Sequence, residues 1–247
     1  MDDASLIPAR IRDLARQCET RGVPQFFGFL SLSEKSEAFY AAEKTGVRHA
    51  FFGGAPELER EFIGFFPDWC EQDEDLFPIK PIGFSYRECD TLSHSDFLGA
   101  LMSLGIERRA VGDILVGKGK TLVFVSAKIS DHILSQITEV GRTGVKAAYC
   151  EPDFVALKPS TEEKVGTAAS SRLDCVVSEL FNLSRSSAKE LIECGGVVLN
   201  GMTAQKPTHT VSAGDRLSSR GRGKFKIEDI SGKTKKGRTV VKYKKYI

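Results

Sequence analysis

The sequence of 247 residues lacks long apolar runs. Its longest uncharged stretches, such as GVPQFFGFLSLS, fall well short of the roughly 18 to 20 residues that a membrane-spanning helix needs. The opening residues, MDDASLIPARIRDLARQ, are acidic and then amphipathic, unlike the apolar centre of an export signal. We therefore expect a cytoplasmic protein with no membrane span.

The sequence also has few cysteines, and they are far apart. The six are Cys18, Cys70, Cys89, Cys150, Cys175 and Cys194, and no two form a C-x-x-C pair. This spacing fits free thiols in a reducing compartment and argues against a zinc site or a disulfide framework. Neither G-x-G-x-x-G nor H-E-x-x-H occurs. We expect no metal, no cofactor and no small-molecule substrate.

The net charge of +2 conceals an uneven distribution along the chain. Residues 158–247 contain 18 Lys and Arg against 9 Asp and Glu, a balance of +9, whereas residues 1–157 contain 17 against 24, a balance of −7. A basic segment attached to an acidic body is typical of a module that binds polyanions. A lysine-rich solvated surface would give the same composition, so charge alone does not establish that this segment binds a polyanion.

Hydrophobic patterning predicts an α+β protein with three structured segments. Residues 1–79 predict a helix-rich α/β region: helices over LIPARIRDLARQCETRG and, capped by Ser33, SEKSEAFYAAEKTG, a strand over VRHAFFGG and a helix over APELEREFIGFF. Residues 80–157 predict the βαββαβ order of a ferredoxin-like or RRM-like domain. Residues 158–169 predict a polar linker, and residues 170–247 a small basic α+β domain with a β-rich tail.

The segment 170–201 carries the most specific pattern. An apolar stripe at helical spacing marks its first helix: Leu173, Val176, Val177 and Leu180. Arg172 opens this helix, and Ser184 is placed to cap a second one. On the second helix Arg185 and Lys189, four residues apart, project from the same edge. Cations along the rim of two helices suit the phosphates of a nucleic-acid backbone, with an ordinary exposed helix edge as the alternative.

From Ser170 to about Arg220 the chain resembles the S-four RNA-binding domain, also called the alpha-L motif. The matching blocks are SSRLD, LSRSSAKELIECGGVVLNG and AGDRLSSRG, in that order. The resemblance implies RNA contacts from a set of polar and basic residues: Ser171, Arg172, Ser184, Arg185, Ser186, Lys189, Lys206 and Arg220. The same domain type occurs in pseudouridine synthases, tyrosyl-tRNA synthetases and rRNA methyltransferases, so the preceding residues must decide the function.

The preceding block HSDFLGALMSLGIERRAVGDIL is similar to the central part of the YlmH-type family, bacterial proteins that end in an S-four domain. The tail GRGKFKIEDISGKTKKGR resembles that family as well. The resemblance implies a link to cell division and to the rescue of stalled large ribosomal subunits that still carry peptidyl-tRNA.

The basic tail adds an alternating pattern. In RGRGKFKI every second residue is a cation, which predicts a strand with four cations on one face: Arg220, Arg222, Lys224 and Lys226. TVVKYKKY repeats the pattern with Lys242 and Lys244. Lysines that protect an edge strand from aggregation are the alternative, but they account for fewer cations than this tail has. We expect a ribbon that contacts phosphates and joins the helix cations in one contiguous surface.

Three patterns resemble catalytic motifs without completing them. GDILVGKGKT matches a P-loop through Lys118, but Gly119 stands where Ser or Thr would bind magnesium, and the segment predicts a hairpin. His94 and Asp96 stand at a helix start, where capping explains Asp96. Asp174 follows Arg-Leu as in pseudouridine synthases, but the residues after it do not continue that motif. We expect no catalytic residue.

We predict a non-catalytic monomer that binds structured rRNA and tRNA on the large ribosomal subunit. Loop and turn residues of the middle segment are candidate secondary RNA contacts, with a solvated or structural role as the alternative: His94, Arg108, Arg109, Lys118 and Lys120. One competing function is an RNA-modifying enzyme of the pseudouridine synthase or methyltransferase type, with its catalytic residues in the middle domain and an S-four domain that delivers the substrate. The other is a cell-division adaptor.

Overall fold

The computed structural model describes residues 6–56, 58–150, 161–235 and 237–246. They form two compact units, an N-terminal unit within Met1–Pro159 and a C-terminal unit within Ser160–Ile247. Both units combine helices with antiparallel sheets, which confirms the predicted α+β class. Among the helices in these ranges, none combines the length and the apolar character that a membrane crossing requires.

The N-terminal unit begins with two helices and a three-stranded antiparallel sheet. The elements are α1 (Ile7–Arg21), β1 (Gln25–Leu30), α2 (Leu32–Glu43), β2 (Arg48–Phe52) and β3 (Glu61–Phe66), and the strand order is β1-β3-β2. Apolar residues at helical spacing bury one side of α1, which ends at Gly22 in the left-handed conformation (φ 63°). Ser31 and Glu34 form a capping box that starts α2. Both helices cover the same face of the sheet.

Three details of this region differ from the prediction. EFIGFF, predicted as a helix, is β3, and QFFGFL, for which no strand is predicted, is β1. β3 is the central strand, with the helices on one face and a second apolar cluster on the other, so apolar and polar residues do not alternate along it. Periodicity cannot distinguish such a strand from a buried helix. Ser31, not Ser33, caps α2.

Residues 79–149 form a four-stranded antiparallel sheet with two helices on one face. The elements are β4 (Ile79–Ser85), α3 (His94–Ser103), β5 (Val111–Gly117), β6 (Lys120–Ser126), α4 (Ala127–Gln136), a small hairpin of β7 (Glu139–Val140) and β8 (Thr143–Gly144), and β9 (Lys146–Tyr149). The strand order β5-β6-β4-β9 is that of a ferredoxin-like domain, so the predicted βαββαβ fold is confirmed. Lys118 and Gly119 (φ 69°) form the β5–β6 turn, a hairpin as predicted.

The other face of this second sheet shares an apolar cluster with the three-stranded sheet. Phe29 and Phe62 contribute from β1 and β3, and Leu122 and Phe124 from β6. The rings of Phe29 and Phe62 meet edge to face, with centroids 4.7 Å apart. The predicted boundary at residue 79 therefore falls inside one compact unit. A division of this unit into two separate domains stays a prediction.

The C-terminal unit is a six-stranded antiparallel sheet with two helices on one face. The elements are β10 (Thr161–Ala168), α5 (Leu173–Leu180), α6 (Arg185–Glu193), β11 (Val198–Leu199), β12 (Met202–Thr203), β13 (Arg216–Ser219), β14 (Gly223–Asp229) and β15 (Thr239–Tyr246). The strand order is β10-β15-β14-β13-β11-β12. The apolar stripe predicted on α5 is buried and packs with Phe225, Ile227 and Val241 of the sheet. Helices and sheet therefore enclose one core.

The predicted linker, residues 158–169, is wrong from Thr161 onward, because Thr161–Ala168 form β10. Residues 158–160 lie outside the described part of the chain. β10 pairs along its whole length with β15 and is an edge strand of the sheet. Only Gly166 and Ala168 of this strand are buried. An edge strand with so few apolar residues has the composition of a loop, which explains why the pattern did not predict it.

Candidate nucleic-acid interface

One buried carboxylate holds two arginines at the start of the helix pair. Asp174, in the first turn of α5, is 3% exposed. Arg172 donates to both carboxylate oxygens, from Nε to Oδ1 and from Nη2 to Oδ2, each at 3.1 Å. Arg185, the first residue of α6, donates from Nε to Oδ2 at 3.0 Å. Asp174 therefore fixes the positions of both guanidinium groups.

Both guanidinium groups keep donors for a ligand. A guanidinium has about five N–H donors, of which Arg172 uses two and Arg185 uses one on Asp174. The side chains of Arg172 and Arg185 are 41% and 58% exposed, although their shared carboxylate is buried. Donors that are aligned in advance match the oxygens of a phosphate and lose little rotamer freedom on binding.

The two arginines line an open groove of about 610 Å³. The groove is formed by Arg172, Asp174, Arg185, Ser186, Lys189, Glu193, Pro207 and Thr208. Ser184 caps α6 by accepting a hydrogen bond from the Ser187 amide at 3.1 Å. The segment that contributes Pro207 and Thr208 to the groove is held against α5, because the amides of Leu173 and Asp174 donate to the carbonyls of His209 and Pro207. We call this feature the helix groove.

The charges in the helix groove stabilise one another. Burial by itself would raise the pKa of Asp174, but hydrogen bonds from Arg172 and then from Arg185 lower that pKa to about 2. The hydrogen bond to Asp174 in turn raises the pKa of Arg172. Asp174 and Arg172 therefore both stay charged at physiological pH. A carboxylate with so low a pKa, already bonded to several donors, is a poor general base.

These contacts make the stability of the C-terminal unit depend on pH. The pKa of Asp174 in the folded protein, about 2, lies below its ordinary value of 3.8, so its contribution is complete above about pH 4 and is lost as the pH falls toward 2. We expect Asp174→Asn to lower the free energy of unfolding by about 2 kcal/mol at neutral pH. Urea titrations followed by NMR signals of residues 161–246 should show this difference disappearing in acid. A difference that does not change with pH contradicts the assignment.

Two other predicted contacts lie outside the helix groove. Ser171 is half-buried, and its carbonyl accepts a hydrogen bond from the Val211 amide. Lys206 lines a separate and smaller cavity together with Met202 and His209. The structure therefore brings together Arg172, Arg185, Ser186 and Lys189 but places these two residues beside the groove.

Arg220 and Arg222 lie in a turn and not, as predicted, on a strand. β13 ends at Ser219, which pairs with Gly223 at the start of β14. Gly221 (φ 76°), which lies between the two arginines, has a left-handed backbone conformation that interrupts a regular strand. The prediction of one strand face with four cations is wrong for these two arginines.

Lys224 and Lys226 do lie on a strand, and they alternate with the buried Phe225 and Ile227 as predicted. Because Phe225 and Ile227 pack in the core with α5 and α6, the two lysines lie on the opposite face of the sheet. The predicted RNA contacts are therefore divided between two faces of the C-terminal unit instead of being gathered on one.

The candidate contacts around β5 make bonds within the N-terminal unit. Arg108 donates to the carbonyl of Val111, and desolvation, followed by repulsion from Arg60, lowers its pKa to about 10. Arg109 donates to Glu34 at 3.1 Å and lies 5.3 Å from the centre of the Phe27 ring. These bonds join α2 and β1 to the segment before β5, so we expect the two arginines to serve the fold.

The remaining candidates lie at a helix start and at a turn. His94 is the first residue of α3, where desolvation, followed by repulsion from Arg108, lowers its pKa. Ser93 and Asp96 form a capping box beside it, which confirms the capping role predicted for Asp96. Lys118, in the β5–β6 turn, pairs with Glu88 at 3.1 Å, and Lys120 begins β6. RNA contact by these residues stays a prediction.

Four residues that line the helix groove are not among the predicted RNA contacts: Asp174, Glu193, Pro207 and Thr208. Asp174 has a sequence signal, because it stands two residues after Arg172 in a first helical turn, where acids are favourable. Glu193 and Thr208 have none, since their places depend on how α6 and the loop before β13 pack. Across the described ranges, no group of three or more His, Cys, Asp or Glu residues is arranged to hold a metal ion.

Two family models match the chain, one in each unit. Residues 74–152 match a candidate RNA-binding domain in YlmH. Residues 171–217 match the S4 domain, and this match contains every residue of the helix groove. Both of the resemblances stated from the sequence are therefore confirmed.

A Bacillus subtilis (strain 168) relative decides the family. This relative, the ribosome-associated protein quality control protein P2, is 31% identical over 200 residues, which are 79% of this chain and 77% of the relative. The chain belongs to the YlmH-type family. A solved structure, the cell division protein ylmH from Streptococcus pneumoniae, superposes with a TM-score of 0.56 and 16% identity over 64% of this chain and 96% of that one. At that identity the likeness shows a YlmH-type fold alone.

Proposed function

We propose that this protein binds structured rRNA and tRNA without catalysing a reaction, and that it acts on stalled large ribosomal subunits in the cytoplasm. The observation that carries the proposal is the pair of exposed guanidinium groups, on Arg172 and Arg185, that the buried Asp174 aligns in an open groove. The two arginines satisfy the buried acid and still keep further guanidinium donors exposed to solvent, and this is an arrangement that a ligand can use. It suits a ligand with paired anionic oxygens.

The helix groove supplies the primary contact. Lys189 extends the row of cations, and Ser186 adds a hydroxyl donor at the same edge. The other residues proposed to contact RNA are divided between the two faces of the unit. Ser171, Ser184 and Lys206 lie near the helix groove, Arg220 and Arg222 lie in the turn before β14, and Lys224 and Lys226 lie on the opposite face of the sheet. Contacts to phosphate fix the position of an RNA helix but do not read its sequence. We therefore expect recognition of RNA shape more than of base order.

The ribosomal assignment is supported by the family. The Bacillus subtilis relative is described as ribosome-associated and as a quality control protein. Residues 1–157 carry a net negative charge, which disfavours non-specific electrostatic binding of this part to RNA. We propose that the C-terminal unit binds RNA and that the N-terminal unit contacts a protein or a more limited RNA surface on the same particle.

A modifying enzyme is the less favoured alternative. The helix groove is the candidate pocket for RNA, and Asp174 is its buried acid, but both arginines and the Cys175 amide already occupy its oxygens. A general base needs a free lone pair within reach of the substrate proton. The geometry therefore favours a carboxylate that positions cations over one that accepts a proton.

The experiment neutralises the groove cations. We expect Arg185→Gln with Lys189→Gln to lower the affinity for purified large ribosomal subunits by on the order of 30-fold, and to reduce the slope of log affinity against log salt by about 2. Glutamine is preferred to glutamate because a new carboxylate at residue 185 would face Asp174. The matched control is Lys233→Gln with Lys235→Gln, two exposed loop lysines of the same unit. Equal losses in the two double variants would contradict a defined site.

A further inference from the structure

We propose that the C-terminal unit has a second RNA-binding surface, which binds a separate RNA segment through its phosphates. This surface, here called the outer face, is the side of the six-stranded sheet turned away from α5 and α6. It carries Arg216, Lys224, Lys226, Lys242 and Lys244. The inference rests on the proposed function only in that both ligands are RNA.

The strand register places three of these cations side by side. Arg216 of β13 is directly opposite Lys226 of β14, and Lys226 is directly opposite Lys244 of β15. Neighbouring strands are roughly 4.8 Å apart, so the row concentrates positive charge over a short distance. Like charges directly opposite each other destabilise a sheet. The row of cations therefore does not stabilise the fold by itself. A bound polyanion would relieve the repulsion between the three side chains.

The carboxylates on the outer face compensate this charge only in part. Glu228 lies 3.5 Å from Lys226 and 3.9 Å from Lys244, Glu163 lies 3.7 Å from Lys244, and Asp229 lies 3.6 Å from Lys242. Ion pairs at the surface and at such distances contribute little stability. Because the cations on this face outnumber these acids, the surface keeps a net positive potential available to phosphates.

The outer face is independent of the helix groove. Leu217, Phe225 and Val241 fill the core between the sheet and the helices, so the residues that alternate with them face the other way. β10, β14 and β15 also lie outside the residues that match the S4 domain, 171–217. The outer face is thus built largely by strands added on both sides of that domain. It gives the C-terminal unit two opposed basic surfaces.

The arrangement suits RNA better than an anionic membrane. Cations two residues apart on a strand repeat at roughly 6.5 Å, a spacing comparable with that of successive phosphates on an RNA strand. Tyr246 lies on the same face, with the Lys224 ammonium 5.6 Å from its ring centre, and offers a ring against which a base can stack. A membrane-binding surface needs several apolar side chains that insert into lipid, whereas among the described residues of this face Val165 is the large aliphatic side chain that is exposed.

The test is the number of RNA molecules that one full-length protein binds. The probe is a short RNA hairpin, and the ratio is measured by sedimentation at physiological ionic strength. We expect the wild type to bind two hairpins, Lys226→Gln with Lys244→Gln to bind one, and Arg185→Gln with Lys189→Gln to bind one. The combination of all four substitutions should bind none. The loop variant Lys233→Gln with Lys235→Gln should still bind two.

The outcomes separate this inference from the proposed function. A wild type that binds one hairpin, with unchanged affinity in the Lys226 and Lys244 variant, overturns the outer face and leaves the helix groove intact. Loss of one hairpin on changing Lys226 and Lys244, but none on changing Arg185 and Lys189, supports the outer face and contradicts the groove. The inference is also wrong if the protein binds phosphatidylserine vesicles through Lys226 and Lys244 but binds no RNA hairpin there. An unfolding transition above the temperature of the binding measurement establishes that the C-terminal unit of each variant is folded.

Discussion

Asp174→Asn is expected to weaken RNA binding by roughly tenfold, equivalent to the loss of about one charge-assisted hydrogen bond. The amide has no charge and one acceptor oxygen where the carboxylate has two, so at least one of the three arginine hydrogen bonds is lost and an NH₂ group faces a guanidinium. Arg172 and Arg185 would then have to be ordered by the RNA itself, and the entropy of that ordering is subtracted from the binding free energy. The effect is large because a single substitution releases two guanidinium groups.

If only net charge mattered, Asp174→Asn would strengthen RNA binding. Removing a carboxylate from a phosphate-binding groove makes the groove more positive and should strengthen the binding of any polyanion. The groove offers a matched control in Glu193, an exposed acid that lies 3.7 Å from Lys189 and holds no arginine. We expect Glu193→Gln to strengthen RNA binding slightly while Asp174→Asn weakens it. The two variants lose the same charge, so the difference between them isolates the orienting role.

The measurement is the affinity for large ribosomal subunits over a range of salt concentrations. An orienting role predicts that Asp174→Asn lowers affinity at every salt concentration, because alignment does not depend on ionic strength. NMR signals of residues 161–246 establish that the variant is folded at the pH used. If Asp174→Asn and Glu193→Gln both strengthen binding, Asp174 acts only through its charge and the alignment of the arginines is unimportant.

The sequence predicts the helix groove better than the tail, for a local reason. Arg172, Arg185 and Lys189 are positioned by two short helices whose stripes and caps are encoded nearby, so spacing along the chain translates directly into spacing on the surface. In the tail, spacing along the chain does not translate into spacing on the surface. Gly221 and Gly223 take positive φ angles, and the chain turns where alternation predicts a continuous strand.

The errors in the N-terminal unit have another physical cause. β3 is covered on both faces, so its residues EFIGFF lack the alternation that identifies a half-exposed strand. Arg108 and Arg109 look like solvated loop arginines in the sequence, and nothing local indicates that a second sheet covers them. Only the packing of the two sheets shows that Arg109 meets Glu34, which is 75 residues away along the chain.

The same packing gives the Arg60 side chain a structural role in the N-terminal unit. Its Nη2 donates to the Phe29 carbonyl at 2.8 Å and its Nε to the Val111 carbonyl at 3.2 Å. Desolvation lowers the pKa of Arg60, as expected for a guanidinium taken from water. β1 belongs to the three-stranded sheet and Val111 begins β5 of the other, so this side chain joins the two. We expect Arg60→Met to lower the free energy of unfolding by about 3 kcal/mol.

Urea unfolding followed by hydrogen exchange measures this loss separately in each sheet. If the sheets fold as one unit, peptides from residues 25–66 and 79–126 lose protection at the same urea concentration in the wild type. Arg60→Met should then shift both groups together. Arg16→Met, at a side chain that is 78% exposed, should shift neither. If residues 25–66 and 79–126 instead unfold in two separate transitions, and Arg60→Met shifts only the transition of residues 25–66, the result supports independent domains at 1–79 and 80–157. The shared cluster around Phe29 and Phe124 would then be an interface between domains and not a common core.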